Sequence, residues 1–125
     1  SSAEDARKAH YLGACKIINI KPGRVGGLLE SKKIHDYCHA NNIGVWCGGM
    51  LESGIARAFN LATATMPNYI YPADLDEPKE FFTDDVVSDG YKIENGTIKV
   101  PTKKSLGFDI DEEKIEKYTV NMISI

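Results

Sequence analysis

The sequence has little sulfur and no block of charge: 3 cysteines, 3 methionines and 1 tryptophan in 125 residues, with 15 Lys and Arg set against 18 Asp and Glu. The net charge of −3 and the lack of any basic run give nucleic acid and anionic membrane no electrostatic invitation. No apolar stretch reaches the roughly 18 residues of a spanning helix, so none is expected. Cys15, Cys38 and Cys47 are odd in number and lack metal-ligand spacing, which argues against a disulfide framework and a cysteine metal site. They read instead as small hydrophobes suited to a reducing cytoplasm. The polar, acidic opening Ser-Ser-Ala-Glu-Asp does not read as a signal peptide. What remains is globular in kind, with 42% hydrophobic and 26% charged residues in one domain-sized chain.

The first two-thirds alternates helix and strand. Ser2 and Asp5 form a capping box that opens a helix to about Leu12, and Gly13 ends it. Residues 15–20, Cys-Lys-Ile-Ile-Asn-Ile, predict a buried parallel strand. Pro22 and three glycines predict a loop over residues 21–27. A helix follows over about residues 28–40, with Ser31, Ile34 and Cys38 on one face and Lys32, Lys33 and Asp36 on the other. The plan then repeats: a strand at residues 43–47, a Gly48-Gly49-Met50-Leu51-Glu52 loop, and a helix over about residues 53–65. Ile55, Ala58, Phe59 and Ala62 mark that helix's apolar stripe, which turns Arg57 and Asn60 away from the core. Residues 69–73 predict a third strand. Such alternation means an α/β protein with parallel strands and right-handed crossovers. The last third differs: Asn95-Gly96 between short apolar runs predicts a two-residue hairpin, and Asp111 caps a final helix carrying Ile115 and Tyr118.

Lys21 is the foremost candidate for chemistry. It follows a buried strand at its carboxyl end, where α/β proteins place functional groups, and a partly desolvated lysine can exchange protons. The same position also suits a solvated loop lysine. Gly23, Gly26 and Gly27 fit either an anion site of backbone N–H groups or a tight turn, and no phosphate-loop pattern accompanies them. Gly48 and Gly49 either admit a ligand to the backbone or only turn the chain. Glu52 fits an acid, a hydrogen-bond acceptor or, by default, a helix N-terminal charge. His35 and His39 are four apart beside the Ile34/Cys38 stripe and read as a surface pair. Cys47 has no identifiable base partner and reads as packing. Asp74 and Asp76, in a Pro-x-Asp-x-Asp loop after the third strand, are weaker candidates for ligand binding.

The segments Ile18-Asn19-Ile20-Lys21-Pro22-Gly23-Arg24-Val25-Gly26-Gly27 and Val45-Trp46-Cys47-Gly48-Gly49-Met50-Leu51-Glu52-Ser53-Gly54 resemble the enolase superfamily. Within it they are similar to the o-succinylbenzoate synthase and N-acylamino acid racemase branch of the muconate-lactonizing subgroup. Pro67-Asn68 and Pro72-Ala73-Asp74 fit the same branch, and the resemblance covers nearly the whole chain.

That resemblance implies the C-terminal part of a (β/α)7β TIM-type barrel. Residues 1–83 would be its last βα units, and residues 84–125 a hairpin and helix belonging to the capping domain. It implies that Lys21 is one of two catalytic lysines facing each other across a small carboxylate substrate. Asn19, Gly48, Gly49 and Met50 would touch the substrate, with Glu52 in support. Mg2+ would serve the full-length parent, held by carboxylates upstream of this chain, so no metal ligand is assigned here and no cofactor is expected for the fragment alone. A typical barrel needs about 250 residues. The chain is therefore expected to be an inactive C-terminal fragment that pairs with its missing N-terminal half or associates with itself. The implied reaction is removal of an α-proton, most specifically in o-succinylbenzoate synthesis for menaquinone, with N-acylamino acid racemisation beside it. A dipeptide epimerase or cycloisomerase of the same subgroup is the alternative within enzymes. Outside catalysis, the alternatives are a self-associating half-barrel module and, more remotely, a small phosphate-binding domain built on residues 23–27.

Overall fold

Two parallel strands, β1 (Ile17–Ile20) and β2 (Gly44–Cys47), run side by side in the computed structural model, which describes residues 2–123. The outermost positions of the two expected segments, residues 1, 124 and 125, lie outside the described residues. Ile17 is paired with Gly44 and Ile20 with Cys47, so both strands end together and deliver Lys21 and Gly48 to the same edge. Helix α1 (Ala3–Tyr11) precedes β1, with the Ser2 hydroxyl accepting from the Asp5 N–H at 3.1 Å as the capping box requires. Helix α3 (Leu28–Ala40) crosses from β1 to β2 and buries Ser31, Ile34 and Cys38 as its face pattern demands. These elements share one core of Ala3, Ala6, Ile20, Ile34, Cys38, Ile43 and Val45.

Residues 21–27 are not purely a loop. Pro22–Val25 form one helical turn, α2, with Pro22 in the first position where its missing N–H costs nothing. Gly26 ends the turn with φ at +95°. The N–H groups of Arg24 and Val25 bond to the Lys21 carbonyl and that of Gly27 to Pro22. These amides are consumed within the turn, which is the tight-turn reading of the glycines and not the anion-site one.

The third strand does not form as a continuous element. Residues 69–74 run parallel to β2 through two isolated bridges, Val45 to Tyr69 and Gly48 to Asp74. The chain enters from Asn68 at φ +72° and breaks stride at Pro72, which has no N–H to give to a ladder. The strand over residues 15–20 is also shorter and less buried than its apolar run predicts. Ile17 is 44% exposed and Asn19 is exposed, because among the described residues β1 has a partner on one edge only.

Helix α4 (Gly54–Ala64) is rotated relative to its apolar stripe. Arg57, Asn60 and Thr63 are buried with Ala58 and Leu61, while Phe59 and Ala62 face outward. Hydrogen bonds to nearby carbonyls and carboxylates draw the polar side chains inward, so the hydrophobic pattern alone misassigns the face. The two histidines of α3 also separate. His39 is exposed, but the His35 ring is buried, stacked between His39 and Tyr69 at 5.8 and 5.7 Å between ring centroids. Its Nε2 faces the Pro67 carbonyl at 2.6 Å, an acceptor, so that nitrogen carries a proton.

The remaining residues wrap α4. A 3₁₀ turn, Pro78–Glu80, leads to the hairpin β3 (Ile93–Glu94) and β4 (Thr97–Ile98). Asn95 and Gly96 both have positive φ, +51° and +73°, the geometry a two-residue turn demands. Helix α5 (Glu112–Tyr118) starts at Asp111, whose carboxylate accepts from the Lys114 N–H at 3.1 Å. Tyr91 and Leu75 pack with Leu61 and Cys47 in a second core that fastens this tail to α4. Asp85 caps α4 from the tail, both its oxygens 2.9 Å from the Gly54 N–H. Among the described residues, no helix is long and apolar enough to cross a membrane.

Asp84 joins α5 to the start of the tail. Lys114, Tyr118 and Lys117 donate to its carboxylate and hold it well below the usual carboxylate range. Because the folded value is depressed, the stabilisation is complete above the unfolded carboxyl's pKa of about 3.9 and is lost as pH falls through the folded value. Melting curves of the parent protein and Asp84→Asn should therefore differ at pH 7 and converge as the pH drops toward 2. A constant difference across that window would show that the carboxylate's charge contributes nothing.

Candidate active site

Three chain segments end at one edge of the sheet, and each delivers a polar group there. β1 presents Lys21, β2 presents Gly48 and Gly49, and residues 69–74 present Asp74. The Lys21 ammonium donates to the Gly49 carbonyl at 2.6 Å and stands 4.0 Å from Asp74 Oδ2. Its side chain is only 25% exposed, so it is held against the sheet edge and not free in solvent. One N–H is committed to Gly49, and an ammonium has three.

The two glycines have a physical reason to be glycines. A Cβ on Gly48 would stand 2.6 Å from Asn19 Oδ1 and 2.9 Å from Lys21 Cε. A Cβ on Gly49 would stand 2.7 Å from the Asp74 carbonyl oxygen, and the Gly49 N–H donates to that oxygen at 2.6 Å. The close approach at Gly49 is thus made by this chain's own backbone. Met50 is half exposed beyond it, with its sulfur near Gly23.

Glu52 does not act as a helix N-terminal charge, since Asp85 occupies that place. Its carboxylate turns across α4, accepts from the Asn60 side-chain amide and lies beside Gly23. Arg57 reaches back along the same side, donating from Nε to the Glu52 carbonyl at 3.0 Å and from Nη1 to the Asp76 carbonyl. Cys47 is fully buried, with its thiol pointing at the Asn60 carbonyl 3.5 Å away. Burial, aided by the Glu52 charge, pushes that thiol up to about 12, so it stays protonated as a packing group.

The structure therefore brings Asn19, Lys21, Gly48 and Gly49 together, with Met50 and Glu52 on the loop that follows. Asp74, a weaker candidate on sequence, also stands at this edge, and Arg57 and Asn60 turn inward where the apolar stripe turns them outward. The available signal for Asp74 was topological: it follows the third apolar run as Lys21 and Gly48 follow the first two. Among the described residues, no group of three or more His, Cys, Asp or Glu side chains is arranged to hold a metal ion.

A sequence model of the family described as enolase C-terminal domain-like matches residues 1–114. The chain is 47% identical over 118 residues to an o-succinylbenzoate synthase of Geobacillus kaustophilus, covering 94% of this chain and 32% of that protein. It is 42% identical over 124 residues to an N-succinylamino acid racemase of an Amycolatopsis species, covering 99% and 33%. A crystal structure of an enolase superfamily member from Listeria innocua superposes with a TM-score of 0.86 at 41% identity, covering 96% of this chain and 32% of that one. The chain thus spans about a third of the length of the relatives it matches.

Proposed function

The chain belongs to the enolase C-terminal domain-like family, and from that premise we propose that it is the C-terminal part of an enzyme that removes the α-proton of a carboxylate substrate. Dehydration to o-succinylbenzoate is the favoured reaction, with racemisation of an N-succinylamino acid as a second one that the Amycolatopsis relative supports. The observation that carries the reading is the Lys21 ammonium, fixed by the Gly49 carbonyl at the carboxyl ends of three parallel segments.

As the free amine, Lys21 takes the α-proton at Nζ. As the ammonium, it returns a proton or faces the negative charge that forms on the carboxylate. Gly49 and Asp74 set the direction from which Nζ approaches. For racemisation a second base must act on the opposite face, and we place it in the part of the whole protein outside this chain.

Enolase-type chemistry also uses Mg2+ to stabilise the enediolate. Among the described residues no three His, Cys, Asp or Glu side chains are grouped to hold such an ion, and Asp74 Oδ2 stands 4.0 Å from the Lys21 ammonium, a cation that disfavours a second one there. We place the metal ligands upstream as well. The 125-residue chain alone is then expected to show no saturable rise in melting temperature with Mg2+. With β1 unpaired along one edge among the described residues, and Leu29 and Ile70 exposed, it should also associate in light scattering. A monodisperse 13.8 kDa particle stabilised by Mg2+ would count against both expectations.

The function itself is tested with the whole protein and Mg2+ in D2O. A cyclic succinyl carboxylate whose dehydration yields o-succinylbenzoate, and N-succinylamino acids, are each followed by NMR for loss of the α-proton signal. Exchange or turnover with either is expected, and none with both would sink the reading.

A further inference from the structure

Arg57 is 3% exposed, yet among the described residues its guanidinium bonds to main-chain carbonyls and not to a carboxylate. Nη2 is buried with no hydrogen-bond partner among the described residues, and the face of Phe81 covers the group at 5.5 Å. A buried cation without a counter-ion is costly, and packing alone is served better by an apolar side chain. What the guanidinium holds is specific. Glu52 closes the loop that begins at Gly48 and Gly49, and Asp76 lies two residues after Asp74. These are the two segments whose groups flank the Lys21 ammonium: the Gly49 carbonyl hydrogen-bonded at 2.6 Å and the Asp74 carboxylate 4.0 Å away. The Tyr91 hydroxyl donates to the same Asp76 carbonyl at 2.8 Å, so the tail contributes a second anchor from outside.

We infer that Arg57 is a positioning residue for Lys21: by bridging the Glu52 and Asp76 carbonyls, it sets where Gly49 and Asp74 stand around the ammonium. The inference rests on the reading of Lys21 given above. The planar fork is essential to it, because two carbonyls from different segments are held by one rigid group. A lysine at this position keeps the charge but cannot reproduce both contacts. A misplacement of about 1 Å at a reacting group costs up to about 100-fold in rate.

The test uses the whole protein with Mg2+. Arg57→Lys is expected to lower kcat by roughly 10- to 100-fold while KM changes by less than about threefold. Should that variant fold poorly, Tyr91→Phe removes the other donor to the Asp76 carbonyl and is expected to lower kcat by a smaller factor. Because both donate to the Asp76 carbonyl and so help to place Asp74, each should be non-additive in kcat with Asp74→Asn. Purely structural damage would instead lower the folded fraction, leave kcat per folded molecule unchanged and add independently to Asp74→Asn. Arg57→Lys and Tyr91→Phe both within twofold of the parent kcat, or both additive with Asp74→Asn, would overturn the inference while leaving Lys21 in place. If Lys21→Ala retains turnover, the reading of the site falls and this inference with it.

Discussion

Replacing Lys21 by alanine in the whole protein is expected to lower turnover by about 10³-fold and to stop α-proton exchange with solvent. A positioned acid or base contributes roughly 10² to 10⁴, and Lys21 is the acid–base group that directly follows the first strand at the sheet edge. The fold should survive the change. The lysine's polar contacts are to a carbonyl and an exposed carboxylate at the rim, not to the core of Ile20, Ile34 and Val45. Unaltered melting together with lost exchange is therefore the expected pair of results. Near-normal exchange in Lys21→Ala would show that another group takes the proton.

Gly49→Ala should damage stability and activity together. The new methyl would meet the Asp74 carbonyl oxygen at 2.7 Å, and that oxygen belongs to backbone tied to β2 by two bridges. It cannot swing away as a side chain would. The overpacking costs roughly 1–3 kcal/mol, and moving the segment breaks the Gly49-to-Asp74 hydrogen bond and displaces the acceptor of Lys21. Gly48→Ala makes an instructive contrast. Its methyl would strike the ends of the Asn19 and Lys21 side chains, which can shift, so the expected loss lies in kcat more than in melting temperature. Thermal melts and steady-state kinetics on both variants check this. If Gly49→Ala melts normally and alters only the preference between substrates, the glycine serves the substrate and not the chain's own packing.

Much of the α/β arrangement was legible because its signals are local. Ser2 and Asp111 cap helices through bonds to residues three positions away, and Asn95-Gly96 turns a hairpin through its own dihedral preferences. Ile34 and Cys38 mark the buried face of α3 because that face is also its apolar one. The segment around Lys21 and that around Gly48-Gly49 carry enough specific residues to indicate the family without coordinates, and the family match over residues 1–114 agrees.

What local pattern missed, tertiary structure decided. The stripe of Ile55, Ala58, Phe59 and Ala62 turns Arg57 and Asn60 outward on pattern, yet both are buried. Their burial depends on the Glu52 carbonyl, the Glu52 carboxylate and the Asp76 carbonyl, which are brought over α4 only when the chain folds. His35 goes inward for the same reason, since Pro67 and Tyr69 supply an acceptor and a stacking partner 32 and 34 residues along the chain. Residues 69–74 had the composition of a strand, but whether a strand forms depends on the neighbour it pairs with and on where proline removes a donor. Lys21 shows the division most clearly. The sequence alone marks it at the end of an apolar run, while its approach to Gly49 and Asp74 exists only because three distant segments finish at one edge of the sheet. Short-range preferences act within a few residues and can be read along the chain, whereas the direction of a charged side chain is set by which polar groups the fold places within reach.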